Sequence, residues 1–187
     1  MGFGMAKYLE AEVVTLEDWN EYCHYVAGVV GEGLSRLFAE SGLEGKLLLY
    51  FKLLMMNKIK YQLLHKIKIQ LFINIFVWSD PKYATLMQLS NDMGLFLQKT
   101  NIIRDYLEDV SQKPPRVFYP KVVWSKYAEK IEDFAKPQHI KSAVTCLNEL
   151  ITNAMTHAIP AMDYMKGLRD PHVFRFCAIP QVMAIAT

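Results

Sequence analysis

Three observations in this 187-residue chain predict an all-α fold. Apolar residues recur at steps of three and four over long stretches. Prolines stand where those stretches begin or end. No alternating apolar–polar run is bounded by the Asn-Gly or Asp-Gly pairs of a hairpin.

The elements follow in order. Residues 16–38 carry apolar residues at helical spacing, with Thr15 placed to cap the start. A second long helix is predicted over 92–110, stopped by Lys113-Pro114-Pro115. Residues 120–134 read as a helix with proline in its first turn. A longer amphipathic helix is expected over 139–157, closed by Pro160, and a short one over 161–168. Pro171 and Pro180 punctuate the last segment.

The length suits one domain with a sizeable core, and 52% apolar residues exclude a disordered tail. A net charge of +2 gives no reason to expect nucleic acid as a partner. That balance is uneven, because six lysines and no acid lie between Glu44 and Asp80. The three cysteines, Cys23, Cys146 and Cys177, have no metal-ligand spacing and read as reduced thiols facing the cytosol. The start lacks a basic and then apolar secretory pattern. The greasiest run, 69–78, is half the length that a bilayer requires. Solution or a membrane surface is therefore the expected location.

Residues 46–78 are foreign in composition. Of these 33 residues, 28 are Leu, Ile, Phe, Met, Lys, Asn or Tyr, and none is Gly, Ala, Pro, Ser, Thr, Asp, Glu or Arg. A basic amphipathic helix on a membrane is one reading, although the lysines do not keep to one helical face.

On the second helix, Gly94, Gln98, Asn101, Asp105, Glu108 and Asp109 fall on one face, with Leu95, Phe96, Ile102, Ile103, Tyr106 and Leu107 opposite. Three carboxylates within five residues are costly to bury without a counter-charge. Mg²⁺ commonly bridges one or two carboxylates to substrate phosphates, so the stripe suggests a metal–diphosphate site in a helical bundle. A solvated helix face gives the same pattern, and spacing alone leaves both open. On the first helix Tyr22 heads an apolar face of Val26, Val29, Val30, Leu34 and Leu37. It suits a proton shuttle or a cation-stabilising ring, and equally a core tyrosine with a satisfied hydroxyl. His24 is adjacent in the helix and so points away from it.

The runs YCHYVAGVVGEGLSRLF (22–38), MGLFLQKTNIIRDYLED (93–109), DFAKP (133–137), CLNELITNA (146–154) and FCAIPQVMAIAT (176–187) resemble squalene synthases. The resemblance covers everything except residues 45–79. It implies the class I prenyltransferase-like helical bundle (the trans-isoprenoid synthase fold), incomplete at both ends. The implied activity is farnesyl-diphosphate farnesyl transfer. Two farnesyl diphosphates join head to head into presqualene diphosphate, which is then reductively rearranged to squalene with Mg²⁺ and NADPH as cofactors. It also implies a monomer on the cytosolic face of the endoplasmic reticulum membrane, held by a C-terminal anchor.

By resemblance, Asp105 and Asp109, with Glu108 between them, match the second aspartate-rich motif and its metal. Tyr22 matches the tyrosine of proton removal and first-step carbocation chemistry. Val26, Val30, Leu34, Leu97, Gln98 and Asn101 match substrate-pocket positions. Phe176, Cys177 and Pro180 match the wall of the reductive half-site, with packing the plainer role for Cys177. Arg104 matches a phosphate- or NADPH-contacting position. Phytoene synthases share the aspartate logic without these particular strings.

The family's first aspartate-rich motif has no counterpart here, nor have its NADPH-side basic residues. The expectation is a central slice of the enzyme that makes little or no squalene by itself. The alternative is a catalytically inactive helical fragment or isoform, associated with membrane surfaces through the lysine-rich insert. Residues 45–79 are expected to be a translated intron. Gly45-Lys46 reads as GGT-AAA and Ser79-Asp80 as TCA-GAT, and splicing there keeps the frame and joins AESGLE to DPKYATLMQLSND.

Overall fold

The computed structural model describes residues 2–44 and 81–187, without the side chains of 81–83. The insert at 45–79, and with it the intron expectation, lies outside the described residues. Among these there is no strand, in agreement with the all-α expectation.

After a short helix, α1 (Gly2–Lys7), the chain makes turns at 8–10 and reaches Thr15 without regular structure. Thr15 caps α2 (Leu16–Cys23) as expected. Its hydroxyl accepts from the Asp18 amide while the Asp18 carboxylate accepts from the Thr15 amide, a reciprocal capping box. The single helix predicted over 16–38 is three segments. α2 runs into one π-helical turn, His24–Gly28, and then α3 (Val29–Ser41). The wider turn sits where the first helix crosses the central helix, α4 (Pro81–Arg104). The crossing is backbone-close. A Cβ on Gly94 would strike the Ala27 carbonyl, and one on Gly31 the Ser90 carbonyl.

α4 begins eleven residues before the predicted start. Its apolar residues surround it more than they stripe it, because α2, the π turn, α3 and the C-terminal helices all pack on it. It stops at Arg104, not Val110. Asp105 leaves helical geometry (φ −84°, ψ 5°) and the chain restarts as α5 (Tyr106–Val110). The break turns Leu107 outward. It is 67% exposed and not part of the expected apolar side.

The helix predicted over 120–134 is mostly irregular. Only α6 (Lys121–Trp124) is helical, followed by 3₁₀ turns Ile131–Ala135 and Pro137–His139. Tertiary bonds hold the chain in this path. The Lys121 and Val122 amides donate to the Val13 and Val14 carbonyls, and the Tyr106 hydroxyl donates to the Ile131 carbonyl at 2.8 Å.

α7 (Ile140–Met155) matches the predicted amphipathic helix closely. Pro160 does not close it. It is the third residue of α8 (Ala158–Gly167), where the missing amide has no helical acceptor to lose. Pro171 opens α9 (Pro171–Ala186) behind an Asp170 cap that accepts from the His172 and Val173 amides. Pro180, expected to interrupt, lies inside α9, and the helix continues past it.

Two apolar clusters flank α4. Trp19, Cys23, Leu95, Ile102, Tyr119, Val123, Cys146 and Leu150 fill one, and Met93, Ala161, Tyr164, Val173 and Cys177 the other. No helix among the described residues is long and apolar enough to cross a membrane.

Candidate active site

The carboxylates stand where α4 ends. The Asp105 break leaves its side chain beside Arg104, whose Nε and Nη2 donate to the two Asp105 oxygens at 2.7 and 3.1 Å. Arg104 uses two of the four lone-pair directions of that carboxylate, so two remain for another partner. Burial pushes the Asp109 carboxyl above its ordinary value, and repulsion from Asp105 and Glu108 adds to this, while Arg116 opposes it. Asp109 is thus a carboxylate short of positive charge, with a guanidinium near it. Arg116 arrives on the loop after α5, where its amide donates to the Asp109 carbonyl at 3.1 Å.

Tyr22 faces the same end. Its ring stacks on Phe118 at 4.3 Å between centroids and meets Tyr8 edge-on at 5.3 Å. Burial raises its hydroxyl pKa, with Cys23 and the Asp109 charge adding, and Arg116 lowering it. Its hydroxyl has no hydrogen-bond partner among the described residues, whereas those of Tyr8, Tyr25, Tyr106 and Tyr119 are all engaged. His24 bonds Asn91 at 2.7 Å and takes no part, as its position in the helix predicts.

Other expected residues meet on the far side of Arg104. Leu97, Asn101, Arg104 and Pro180, with Thr100 and Met183, line a cavity of about 150 Å³. Gln98 is half-buried on the same stripe but does not line that cavity. Val26 and Leu34 are half-buried on the first helix, and Val30 is 40% exposed. Phe176 lies outside the cavity, with its ring edge-on to Phe38 at 6.0 Å. Cys177 is a core residue. Burial pushes its thiol up to about 11, which makes it inert and leaves packing as its role. Cys23, Cys146 and Cys177 are all free and buried.

Among the described residues no group of three or more His, Cys, Asp or Glu could hold a metal. The Asp105–Glu108–Asp109 set is therefore not a closed protein cage, and Glu108 is exposed. Mg²⁺ does not need one, since it takes one or two carboxylates and fills its shell with waters and phosphates. A dication beside Asp105 and Asp109 would relieve the crowding that raises Asp109, so this pair fits Mg²⁺ carried with a diphosphate. NADPH is different. A cavity of about 150 Å³ admits a phosphate group, but falls well below the roughly 300–1,000 Å³ of ligand pockets. This cavity by itself holds at most part of a dinucleotide.

Two features escaped the sequence reading. Arg116 and Phe118 come from an irregular loop whose pattern carries no signal for the site. Lys99 left a trace. It lies three or four residues from Leu95, Phe96, Ile102 and Ile103, a lysine in the middle of the apolar face, and it is fully buried.

This carboxylate end, with an unbonded tyrosine hydroxyl on a helical wall, lies within a sequence that matches a known family model along its whole length. Residues 1–187 fit the one described as Squalene/phytoene synthase. The chain belongs to this family. It is 48% identical over 187 residues to squalene synthase from Rattus norvegicus, and the same to that from Homo sapiens, covering all of this chain and 36% of each relative. Squalene synthase LSS from Botryococcus braunii is 46% identical over 188 residues, with 33% of its length covered. The chain thus spans about a third of the length of these relatives. Among solved structures it resembles the complex of TcSQS with the ligand BPH1237. The TM-score is 0.76 at 40% identity, covering 98% of this chain and 43% of that one. The all-helical family fold is the one expected from the sequence.

Proposed function

We propose that this chain carries the second carboxylate face of a squalene synthase, a farnesyl-diphosphate farnesyltransferase of sterol and isoprenoid biosynthesis. The observation that supports this best is that the Asp109 charge acts on Tyr22, and Arg116 on both, at the end of the stripe that runs from Gln98 through Asn101 and Asp105. In this reading Asp105 and Asp109 would hold Mg²⁺, which supplies Lewis-acid neutralisation of a departing diphosphate. Arg116 and Arg104 add positive charge toward the phosphate oxygens. Tyr22, whose burial and acidic neighbour keep its hydroxyl protonated, donates a hydrogen bond toward the diphosphate and relays to it the proton that the first step removes from the substrate, ending protonated as it began, and its ring faces developing positive charge. Leu97 and Pro180 give an apolar wall that excludes water from a carbocation.

The substrate would be farnesyl diphosphate, with condensation to presqualene diphosphate preceding NADPH-dependent reduction to squalene. The whole enzyme would act as a monomer at the cytosolic face of the endoplasmic reticulum membrane, without nucleic acid.

The test is equilibrium binding of farnesyl diphosphate to the 187-residue chain with and without Mg²⁺, followed by mass spectrometry of products with and without NADPH. Expected is Mg²⁺-dependent binding that is lost in Asp105→Asn and Asp109→Asn. Binding indifferent to Mg²⁺, or undiminished in Asp109→Asn, would refute the reading.

A further inference from the structure

A buried polar assembly lies away from the carboxylates. The Lys99 ammonium has no solvent exposure. Its Nζ donates to Asn153 Oδ1 at 2.6 Å and pairs with His157 Nε2 at 2.9 Å, and it lies 4.8 Å from the centre of the Trp19 ring. On its other side the His157 imidazole meets Asp92 Oδ1 through Nδ1 at 2.6 Å.

An ammonium can only donate, so His157 Nε2 must accept, and the ring proton must sit on Nδ1, donated to Asp92. One tautomer is thereby selected, and the lysine charge is balanced by the Asp92 carboxylate across a neutral imidazole. Protonating His157 would turn its Nε2–H against the Lys99 ammonium. While the lysine is charged, this is the one arrangement that satisfies every member.

Its members tie two of the helices that carry the site, α2 and α4, to α7 and the start of α8. Lys99 and Asp92 are two turns apart on α4, Asn153 is on α7, His157 joins α7 to α8, and Trp19 is on α2 one turn before Tyr22. Apolar side chains could fill this volume at equal or lower cost, so the gain from a buried charge is a defined register. We propose that Lys99 is a positioning residue. Held between the Trp19 ring and the Asn153–His157–Asp92 chain, its ammonium sets the Tyr22 helix against the helix that carries Asn101 and Asp105. This rests on those residues forming the diphosphate site.

Burial pushes the ammonium down to about 8, partly offset by Cys23 and Asp92, so the charge is present at neutral pH and lost just above it. Cys23 and Asp92, whose charges act on it, titrate away from that range. Burial raises the Cys23 thiol to about 12. Burial also acts to raise Asp92, but hydrogen bonds from His157 and Gln88 hold it below the usual carboxylate range.

The test is calorimetric titration of the 187-residue chain with Mg²⁺ and inorganic diphosphate, from neutral to alkaline pH, for wild type, Lys99→Met, Lys99→Arg and Asp109→Asn. Lys99→Met should weaken binding about 10-fold or more at neutral pH, as removal of supporting residues does at other metal sites. Wild-type affinity should fall as pH passes the lysine titration, relative to Lys99→Arg, whose guanidinium stays charged. If Lys99→Met fails to fold by circular dichroism, the wild-type and Lys99→Arg profiles decide. Parallel profiles overturn the proposal. Loss of binding in Asp109→Asn together with wild-type behaviour in Lys99→Met overturns it while the site reading survives. Undiminished binding in Asp109→Asn overturns both.

Discussion

Replacing Lys99 by methionine separates the cost of the buried charge from the rest of the fold. The ammonium titrates at about 8 in the folded chain, against 10.5 for an ordinary lysine, because burial disfavours its charged form. Below about pH 8 both folded and unfolded chains hold the proton. Between 8 and 10.5 only the unfolded chain holds it, so stability rises with pH in that window, by about 1.4 kcal/mol per pH unit and roughly 3 kcal/mol in full. The cysteines work in the other direction. Burial raises Cys23 and Cys146 to about 12 and Cys177 to about 11, so ionisation of the unfolded thiols from pH 9 upward favours unfolding. That contribution is common to wild type and mutant, so their difference isolates the lysine. The assay is urea unfolding followed by circular dichroism near pH 7.5 and near pH 9. Wild type should gain about 1 kcal/mol on Lys99→Met across that interval. Equal pH dependence in the two proteins would refute the buried-ammonium account.

Asp109→Asn should leave the folded chain no less stable at neutral pH. Burial and two neighbouring carboxylates raise its pKa, so ionising it costs the fold as pH climbs above 3.8, and in thermal melts the mutant should gain stability relative to wild type as pH rises through the acid range. Tyr22→Phe keeps the stack on Phe118 and removes a hydroxyl with no described partner, so urea unfolding should change by less than about 1 kcal/mol. Presqualene diphosphate formation, where it is measured, should fall. Leu150→Ala, at a position with no exposure in the larger core, should cost about 2–5 kcal/mol in the same unfolding assay. Thr15→Ala breaks a reciprocal capping box and should cost about 1 kcal/mol.

Where structure follows from neighbours along the chain, the sequence was enough. Thr15 and Asp18 lie within one turn, so the start of α2 was readable, and the amphipathic repeat of α7 was readable for the same reason. The stripe from Gln98 to Asp109 was legible as a polar face, and the resemblance of the runs around it implied a metal–diphosphate role. Tertiary contact decided the rest. The π turn exists because α4 crosses there at backbone distance, and periodicity does not encode a crossing. Residues 120–134 lost a helix to amide bonds given to the Val13 and Val14 carbonyls and to one accepted from the Tyr106 hydroxyl, all distant in sequence. Pro160 reads as a stop and Pro180 as punctuation of the last segment because proline cannot donate, yet the first sits where no donor is needed and the second within a helix that continues. Arg116 reached Asp109 through a loop, and Lys99 found Asn153, His157 and Trp19 on other helices. Local sequence states which side chains share a face. Only the packed chain states what that face meets, because burial and charge pairing depend on partners that spacing along the chain does not specify.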